Sequence, residues 1–104
     1  MKINISNPKY DISVSALFKN QFKLINKKSD LKSKVIDVIT KLANGEQLDV
    51  KYKDHKLNNY LGYKDCRECH VAPDCLLVYR RIEDKLVLVL VTIGKHNNVF
   101  KNKY

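Results

Sequence analysis

The chain has 104 residues, of which 44% are hydrophobic, enough for one modest core and too many for wholesale disorder. We therefore expect a single domain spanning residues 1–104. Its 20 Lys and Arg against 11 Asp and Glu give a formal charge of +9, which favours polyanionic partners such as nucleic acid or an acidic protein.

Targeting signals are missing from the sequence pattern. The N-terminal stretch contains no apolar segment of the kind found in secretory signal peptides. The longest apolar run, Leu86 to Val91, is far too short to span a bilayer. Three cysteines are an odd number and a poor basis for a disulfide framework. We therefore expect a cytoplasmic protein with reduced thiols and no membrane partner.

A short strand and an amphipathic helix are predicted at the start of the chain. Tyr10 to Val14 alternates weakly between apolar and polar residues, which indicates a first strand. Ser15 is a candidate N-cap for a helix that continues to about Lys27. The residues that this helix is expected to bury are Leu17, Phe18, Phe22 and Ile25.

A second helix is predicted directly after the first. Ser29 or Asp30 can cap its start, and Asn44-Gly45 is a typical C-terminal stop. With a tight Lys27-Lys28-Ser29 turn between them, the two helices would form a hairpin. Apolar residues at helical spacing give the expected buried face: Leu31, Val35, Val38, Ile39 and Leu42.

After Gly45 the pattern changes to that of a sheet. Residues 64–71, 75–82 and 86–93 are predicted strands, joined by turns at Ala72-Pro73-Asp74 and Glu83-Asp84-Lys85. Such short connections imply antiparallel neighbours. The predicted fold is α+β, with an N-terminal helical hairpin packed on one face of a small, mainly antiparallel sheet.

All three histidines lie in the second half of the chain. His55 is predicted in a loop before the sheet, His70 closes one strand, and His96 follows the last strand. In a meander the ends of these two strands lie on the same side of the sheet, so His70 and His96 can converge, with Asp74 in the adjacent turn. Imidazole titrates near neutral pH, so this cluster suits general acid–base chemistry. A single surface histidine in a polar loop, however, usually has no function.

RNA strand cleavage is one reaction that such residues can perform. It requires a base for the ribose 2′-OH, an acid for the leaving 5′-oxygen, and cations that offset charge at phosphorus. Lys56, Lys95, Arg80 or Arg81 can supply the cations. Lysine clusters are often just solvated faces, although tyrosines interleaved with lysines at residues 51–64 also suit RNA binding.

The cysteines allow three interpretations. Cys66-Arg67-Glu68-Cys69-His70 matches the haem-attachment pattern, but covalent haem attachment requires export. A zinc site built from the three cysteines and a histidine is chemically plausible, but a strand turns Cys66 and Cys69 to opposite faces. Small buried thiols are the simplest interpretation, with exposure of Cys66 left open.

Four blocks of the second half agree with a known family in order, spacing and residue type. From about Ala16 to Phe100 the chain resembles the YafQ branch of the RelE/ParE toxin superfamily. The blocks are Tyr52-Lys53-Asp54-His55-Lys56-Leu57, Cys66-Arg67-Glu68-Cys69-His70-Val71-Ala72-Pro73-Asp74, Leu76-Leu77-Val78-Tyr79, and Gly94-Lys95-His96 with Val99-Phe100.

The resemblance implies a RelE-like toxin of a type II toxin–antitoxin pair, which cleaves mRNA on the ribosome without a metal or other cofactor. It implies Asp74 or His70 as the base and His96 as the acid, and Glu68 stands where the family often has an acidic residue. The residues that it assigns to catalysis are His55, His70, Asp74 and His96. Those assigned to mRNA or ribosomal RNA binding are Lys53, Lys56, Arg80, Lys95 and Phe100.

Two positions depart from the family pattern. Cys75 stands where the family commonly has Trp, and Thr92 stands where it commonly has Arg. Losing an arginine removes a bidentate phosphate clamp that lysine does not reproduce. Lys95 or Arg80 would have to substitute for it, or the rate and codon preference would differ.

Two further functions remain open from the sequence. The superfamily includes gyrase-poisoning members, for which this fold would be a binding module without catalytic histidines. A plain RNA- or protein-binding domain is the other alternative. For the toxin we expect a cognate acidic antitoxin that folds across the basic surface and forms a hetero-oligomer with it.

Overall fold

The computed structural model of the chain describes residue 5, residues 7–25 and residues 29–95. These residues form two helices and five strands, which confirms the predicted α+β class. The elements in chain order are β1 (Asp11–Val14), α1 (Ala16–Ile25), α2 (Ser29–Ala43), β2 (His55–Tyr60), β3 (Tyr63–Ala72), β4 (Cys75–Ile82) and β5 (Val87–Gly94).

Helix α1 starts where the sequence places its cap. The Ser15 Oγ accepts a hydrogen bond from the Phe18 backbone N–H at 2.9 Å, which satisfies one of the free donors of the first turn. Three of the four expected core residues are buried, whereas Leu17 is half-buried. The predicted end near Lys27 and most of the predicted interhelical turn lie outside the described residues.

Helix α2 begins at Ser29, one of the two residues predicted at its start. At the other end the predicted stop is confirmed, because Gly45 has a φ of +80° and donates its N–H to the Leu42 carbonyl at 3.1 Å.

The five strands form one sheet in the order β1-β5-β4-β3-β2. Strands β2 to β5 are antiparallel neighbours, and β1 pairs with β5 in parallel. The sheet is therefore mainly antiparallel, as predicted, and the three strands predicted after residue 63 are right to within one residue. Strand β2 is a correction: His55 is the first residue of a strand and does not lie in a loop.

Side chains from both helices and from one face of the sheet form the larger apolar cluster. The opposite face carries a smaller cluster: Tyr60, Cys66, Leu76, Val78 and Val91. Cys66 and Cys69 thus lie on opposite faces, as predicted, and Cys66 is fully buried, so the exposure that the sequence left open for it does not occur. This arrangement leaves the end of the sheet beside His70 and Gly94 as the place where the chemistry-bearing residues gather.

Within the described parts of the chain, neither helix has the length and apolarity that crossing a bilayer requires.

Candidate active site

His55 stands at the start of the edge strand β2 and is held at both ring nitrogens. The backbone register places His55 opposite Glu68 of β3. Its Nε2 lies 3.1 Å from the Glu68 Oε1, and its Nδ1 lies 2.7 Å from the Lys53 carbonyl oxygen. The imidazole is 51% exposed, whereas the Glu68 side chain is only 7% exposed. A buried carboxylate therefore lies behind an accessible imidazole.

Asp54 fixes the segment that leads into His55 through hydrogen bonds to two neighbouring strands. Its Oδ1 accepts a hydrogen bond from the Tyr79 hydroxyl at 2.6 Å, and its Oδ2 accepts one from the Arg67 Nη2 at 3.2 Å. Burial, with the hydrogen bond to Asp54 as the next cause, raises the pKa of Tyr79, so its hydroxyl remains a donor. Lys53 precedes Asp54 with a left-handed backbone (φ 51°). This turn brings the Lys53 carbonyl to the His55 ring.

His70 lies near the end of β3, opposite Leu76 of β4, and is half-buried. It shares a strand face with Glu68, two residues earlier. It also lines a groove of about 530 Å³ between the sheet and α2, to which Lys34, Lys51 and Lys53 contribute. The described acidic residue in this groove, Asp37, is paired with Lys41 at 3.1 Å. The groove beside His70 therefore has a strong positive charge.

Asp74 and Lys95 line a second groove of about 550 Å³ beneath α1, and Ala72 lines both grooves. Here β3 and β5 end at the same side of the sheet with β4 between them, because His70 and Gly94 both pair with Leu76. The prediction that the two strand ends lie on the same side is therefore confirmed. His96 and Phe100 lie outside the described residues.

Two of the predicted RNA-binding residues lie apart from this edge. Lys56 is exposed on β2, opposite Arg67. Arg80 is half-buried and follows Leu76 by four residues along β4, about 13 Å at the rise of a strand. Lys53 and Lys95 are exposed beside the two grooves. The described cations thus lie at different distances from His55, His70 and Asp74, which together form the histidine edge of the sheet.

Both positions that depart from the family pattern are buried. Thr92 is fully buried, and its Oγ1 donates to the Gln21 Oε1 at 3.0 Å; the same oxygen accepts the Ile93 N–H at 2.9 Å. This threonine therefore joins β5 to α1 and offers no group to a substrate. Cys75 is 4% exposed in the larger core, and burial raises the pKa of its thiol to about 11.

No cluster of three or more His, Cys, Asp or Glu side chains suited to a metal ion occurs among the described residues. The three cysteines are free and buried, and burial is the main cause that raises the pKa of each thiol. Neutral thiols dispersed over two faces of a sheet are weak metal ligands. Within this part of the chain the structure favours the interpretation of the cysteines as small apolar residues.

The predicted site residues leave out Glu68, which contacts His55, and Asp54, which fixes the segment before it. Glu68 has a signal in the sequence, because it alternates with Cys66 and His70 and so belongs on the same strand face. Asp54 has none, since its partners Arg67 and Tyr79 are distant in sequence and lie on strands of unpredicted register. Lys34 and Lys51 were likewise indistinguishable from other exposed lysines.

Residues 10–101 match a protein-family model described as "Bacterial toxin of type II toxin-antitoxin system, YafQ". The mRNA interferase toxin YafQ of Escherichia coli strain B / BL21-DE3 is 36% identical over 91 residues, covering 86% of this chain and 95% of the relative.

Solved structures agree with this match. A metal-bound toxin from Helicobacter pylori has a TM-score of 0.74 at 40% identity, covering 88% of this chain and 99% of that one. The E. coli DinJ–YafQ toxin–antitoxin complex has a TM-score of 0.76 at 30% identity, covering 88% and 98%.

An archaeal RelE–RelB complex from Pyrococcus horikoshii OT3 shares the fold at 11% identity, with a TM-score of 0.68 over 84% of this chain and 94% of that one. The predicted RelE-like fold is therefore confirmed. The family match extends over the helical hairpin, the whole sheet and the histidine edge. The chain therefore belongs to the YafQ family of bacterial toxins of type II toxin–antitoxin systems.

Proposed function

We propose that this protein, as a single domain of residues 1–104, inhibits translation in the cytoplasm by cleaving mRNA on the ribosome. Membership of the YafQ family supports this, and so does the identity of 36% to a relative named as an mRNA interferase toxin. The observation that carries the proposal is the sheet edge where His55, His70 and Asp74 lie, beside one groove lined by three lysines and a second groove lined by Asp74 and Lys95.

The reaction is a transfer within the RNA strand. A base removes the proton from a ribose 2′-OH, and the 2′-oxygen attacks the adjacent phosphorus to form a cyclic phosphate. The bond from phosphorus to the 5′-oxygen breaks, and an acid protonates that oxygen. Asp74 or His70 is the proposed base and His96 the proposed acid. No metal takes part in this scheme.

The basic residues bind the RNA and offset the charge that develops at phosphorus. Lys53 and Lys95 are exposed beside the histidine edge, where they can reach a phosphate on either side of the cleaved bond. Lys56 and Arg80 bind RNA farther along the sheet, and Phe100 stacks on a base. Both grooves are open, so we propose that the ribosome positions the message and the toxin supplies the proton transfers.

The second proposed partner is an acidic antitoxin that silences the toxin. The E. coli relative has been solved in complex with DinJ, which supports a toxin–antitoxin hetero-oligomer. A chain with a formal charge of +9 attracts an acidic segment over long distances, and such a segment can fold on binding.

Growth assays of two variants test the catalytic proposal. His70→Ala and His96→Ala should each relieve growth arrest on induction, while circular dichroism shows an unchanged fold. Lys19→Ala, an exposed change on α1, is the matched control and should arrest growth like the wild type. If both histidine variants still arrest growth, the acid–base assignment is wrong. If the wild type inhibits gyrase and leaves transcripts intact, the protein is a binding module.

A further inference from the structure

Glu68 occupies a position that is unfavourable for an acidic residue. It lies on the strand face that also carries buried Cys66 and Val78, and it is 5% exposed. Its Oε2 is buried and has no hydrogen-bond partner among the described residues. Removing a carboxylate from water without full compensation destabilises the fold, so an apolar side chain would serve packing better here.

The carboxylate has one polar contact among the described residues, and that contact is the imidazole of His55. The Nε2–Oε1 distance of 3.1 Å is within hydrogen-bonding range. On the other side of the ring, the Lys53 carbonyl oxygen is 2.7 Å from Nδ1. A carbonyl can only accept, so Nδ1 must carry a proton. A second proton must then lie between Nε2 and the carboxylate, since two lone pairs facing each other would repel.

We propose that Glu68 is a positioning residue that fixes the imidazole of His55 and stabilises its doubly protonated form. The inference rests on the proposed function, which places His55 in the active site. A histidine that takes part in proton transfer is doubly protonated either before or after the transfer. Glu68 would stabilise whichever of these two states carries both ring protons. A buried carboxylate does the same for the histidine of a Ser-His-Asp triad.

The charged or titratable groups near the pair are Lys53, Lys56 and Arg67, together with His70 and Arg80, which lie on the Glu68 face two residues along β3 and two residues beyond Val78 on β4. Lys53 and Lys56, the charged neighbours of His55 along the chain, are exposed, so water and salt screen their charges. Arg67 is engaged by Asp54 on the opposite face. Glu68 lies within 3.1 Å behind the ring and out of water, where its charge is little screened.

A double-mutant cycle separates positioning from a general structural role. We would measure single-turnover cleavage of ribosome-bound mRNA for Glu68→Gln in the wild-type chain and in a His55→Ala background. Gln keeps the shape and an acceptor but removes the charge. In the wild-type chain we expect the saturating single-turnover rate constant to fall about tenfold or more with the half-saturating concentration unchanged, as for other carboxylates that orient histidines. In the His55→Ala background we expect no further loss.

Equal losses in both backgrounds would show a structural role and overturn the proposal, as would unchanged activity of Glu68→Gln in the wild-type chain. Glu46→Gln, an exposed acid in the loop after α2, is the control and should behave like the wild type.

Nuclear magnetic resonance of the imidazole ring gives a readout that does not depend on cleavage. In the full-length wild-type chain the His55 ring should show two N–H correlations, assigned by their absence in His55→Ala. Glu68→Gln should weaken the Nε2 correlation. A single N–H correlation in the wild type would overturn the proposal even if cleavage proceeds. Two correlations in a chain that cleaves no mRNA would instead support the pair and contradict the proposed function.

Discussion

Asp54 joins three strands at the residue before His55. Its carboxylate is 16% exposed and accepts hydrogen bonds from Tyr79 of β4 and Arg67 of β3, while Asp54 itself precedes the first residue of β2. The guanidinium keeps part of its hydration, since Arg67 is 43% exposed, but the Tyr79 hydroxyl is buried. The edge of the sheet that presents His55 therefore depends on one carboxylate.

Replacing this carboxylate should cost stability. Asp54→Ala leaves a buried hydroxyl and a half-buried guanidinium without a partner, so we expect the free energy of unfolding to fall by about 2–4 kcal/mol. Tyr79→Phe removes one bond of the set and should cost about 1 kcal/mol. Urea unfolding measures both. Asp11→Ala, an exposed change in β1, is the control and should change the free energy of unfolding by no more than about 0.5 kcal/mol. An equally small effect of Asp54→Ala would contradict the structural role of the Asp54 carboxylate.

The buried thiol of Cys75 makes the stability of the fold depend on alkaline pH. Burial raises the pKa of its thiol from 9.0 to about 11, so the folded state favours the neutral thiol. Its contribution to stability is complete below pH 9 and is lost as the pH rises towards 11. We expect urea unfolding at pH 10.5 to show lower stability than at pH 8, with a smaller difference for Cys75→Ala. The same difference in both chains would contradict this assignment.

Among the elements, α1 has the clearest sequence-encoded start. Ser15 Oγ accepts from Phe18 and donates to the Val91 carbonyl of β5 at 2.5 Å, so one side chain caps the helix and ties it to the sheet. Ser15→Ala should lower the free energy of unfolding by about 1–2 kcal/mol, read from thermal or urea unfolding. Ser33→Ala, exposed on α2, serves as the control, and a Ser15→Ala chain as stable as this control would disprove the cap.

The helices and the three later strands were predictable because their apolar residues repeat at the period of the element that they form. Strand β2 was not: its sequence His-Lys-Leu-Asn-Asn-Tyr has little apolar alternation, and Asn58 adopts a positive φ of 72° at an irregular pairing. The parallel pairing of β1 with β5 joins residues more than 70 positions apart, so no local pattern in the sequence predicts it.

The candidate site was also predictable where it depends on local sequence pattern, and not where it depends on the pairing of distant segments. His70 and Asp74 were found because strand ends and turns are legible in the sequence, and the register then placed His70 and Gly94 on either side of Leu76. The partners of His55 required the fold. Glu68 of β3 meets His55 through the pairing with β2, a strand that the sequence did not predict, and Asp54 reaches residues 13 and 25 positions away.

On the scale of the whole molecule, the excess of positive charge is available to bind an anionic partner. Lysines lie around the histidine edge, and Asp37, the described acid in the His70 groove, is already paired with Lys41. Lysine–phosphate contacts weaken as salt rises because released counterions lose their entropic advantage. We therefore expect the KM for programmed ribosomes to rise several-fold between 50 and 200 mM salt, with kcat nearly constant. A KM that does not respond to salt would contradict a phosphate-binding role for these lysines.

The central claim is that this toxin cleaves ribosome-bound mRNA with its histidine edge. Mapping of transcript 5′ ends in a purified translation system tests it most directly, with the wild type, His70→Ala and His96→Ala compared on the same message. The account predicts new 5′ ends for the wild type when ribosomes hold the message, few ends on free mRNA, and none for either variant. Equal cleavage of free mRNA, or wild-type cleavage by both variants, would contradict it.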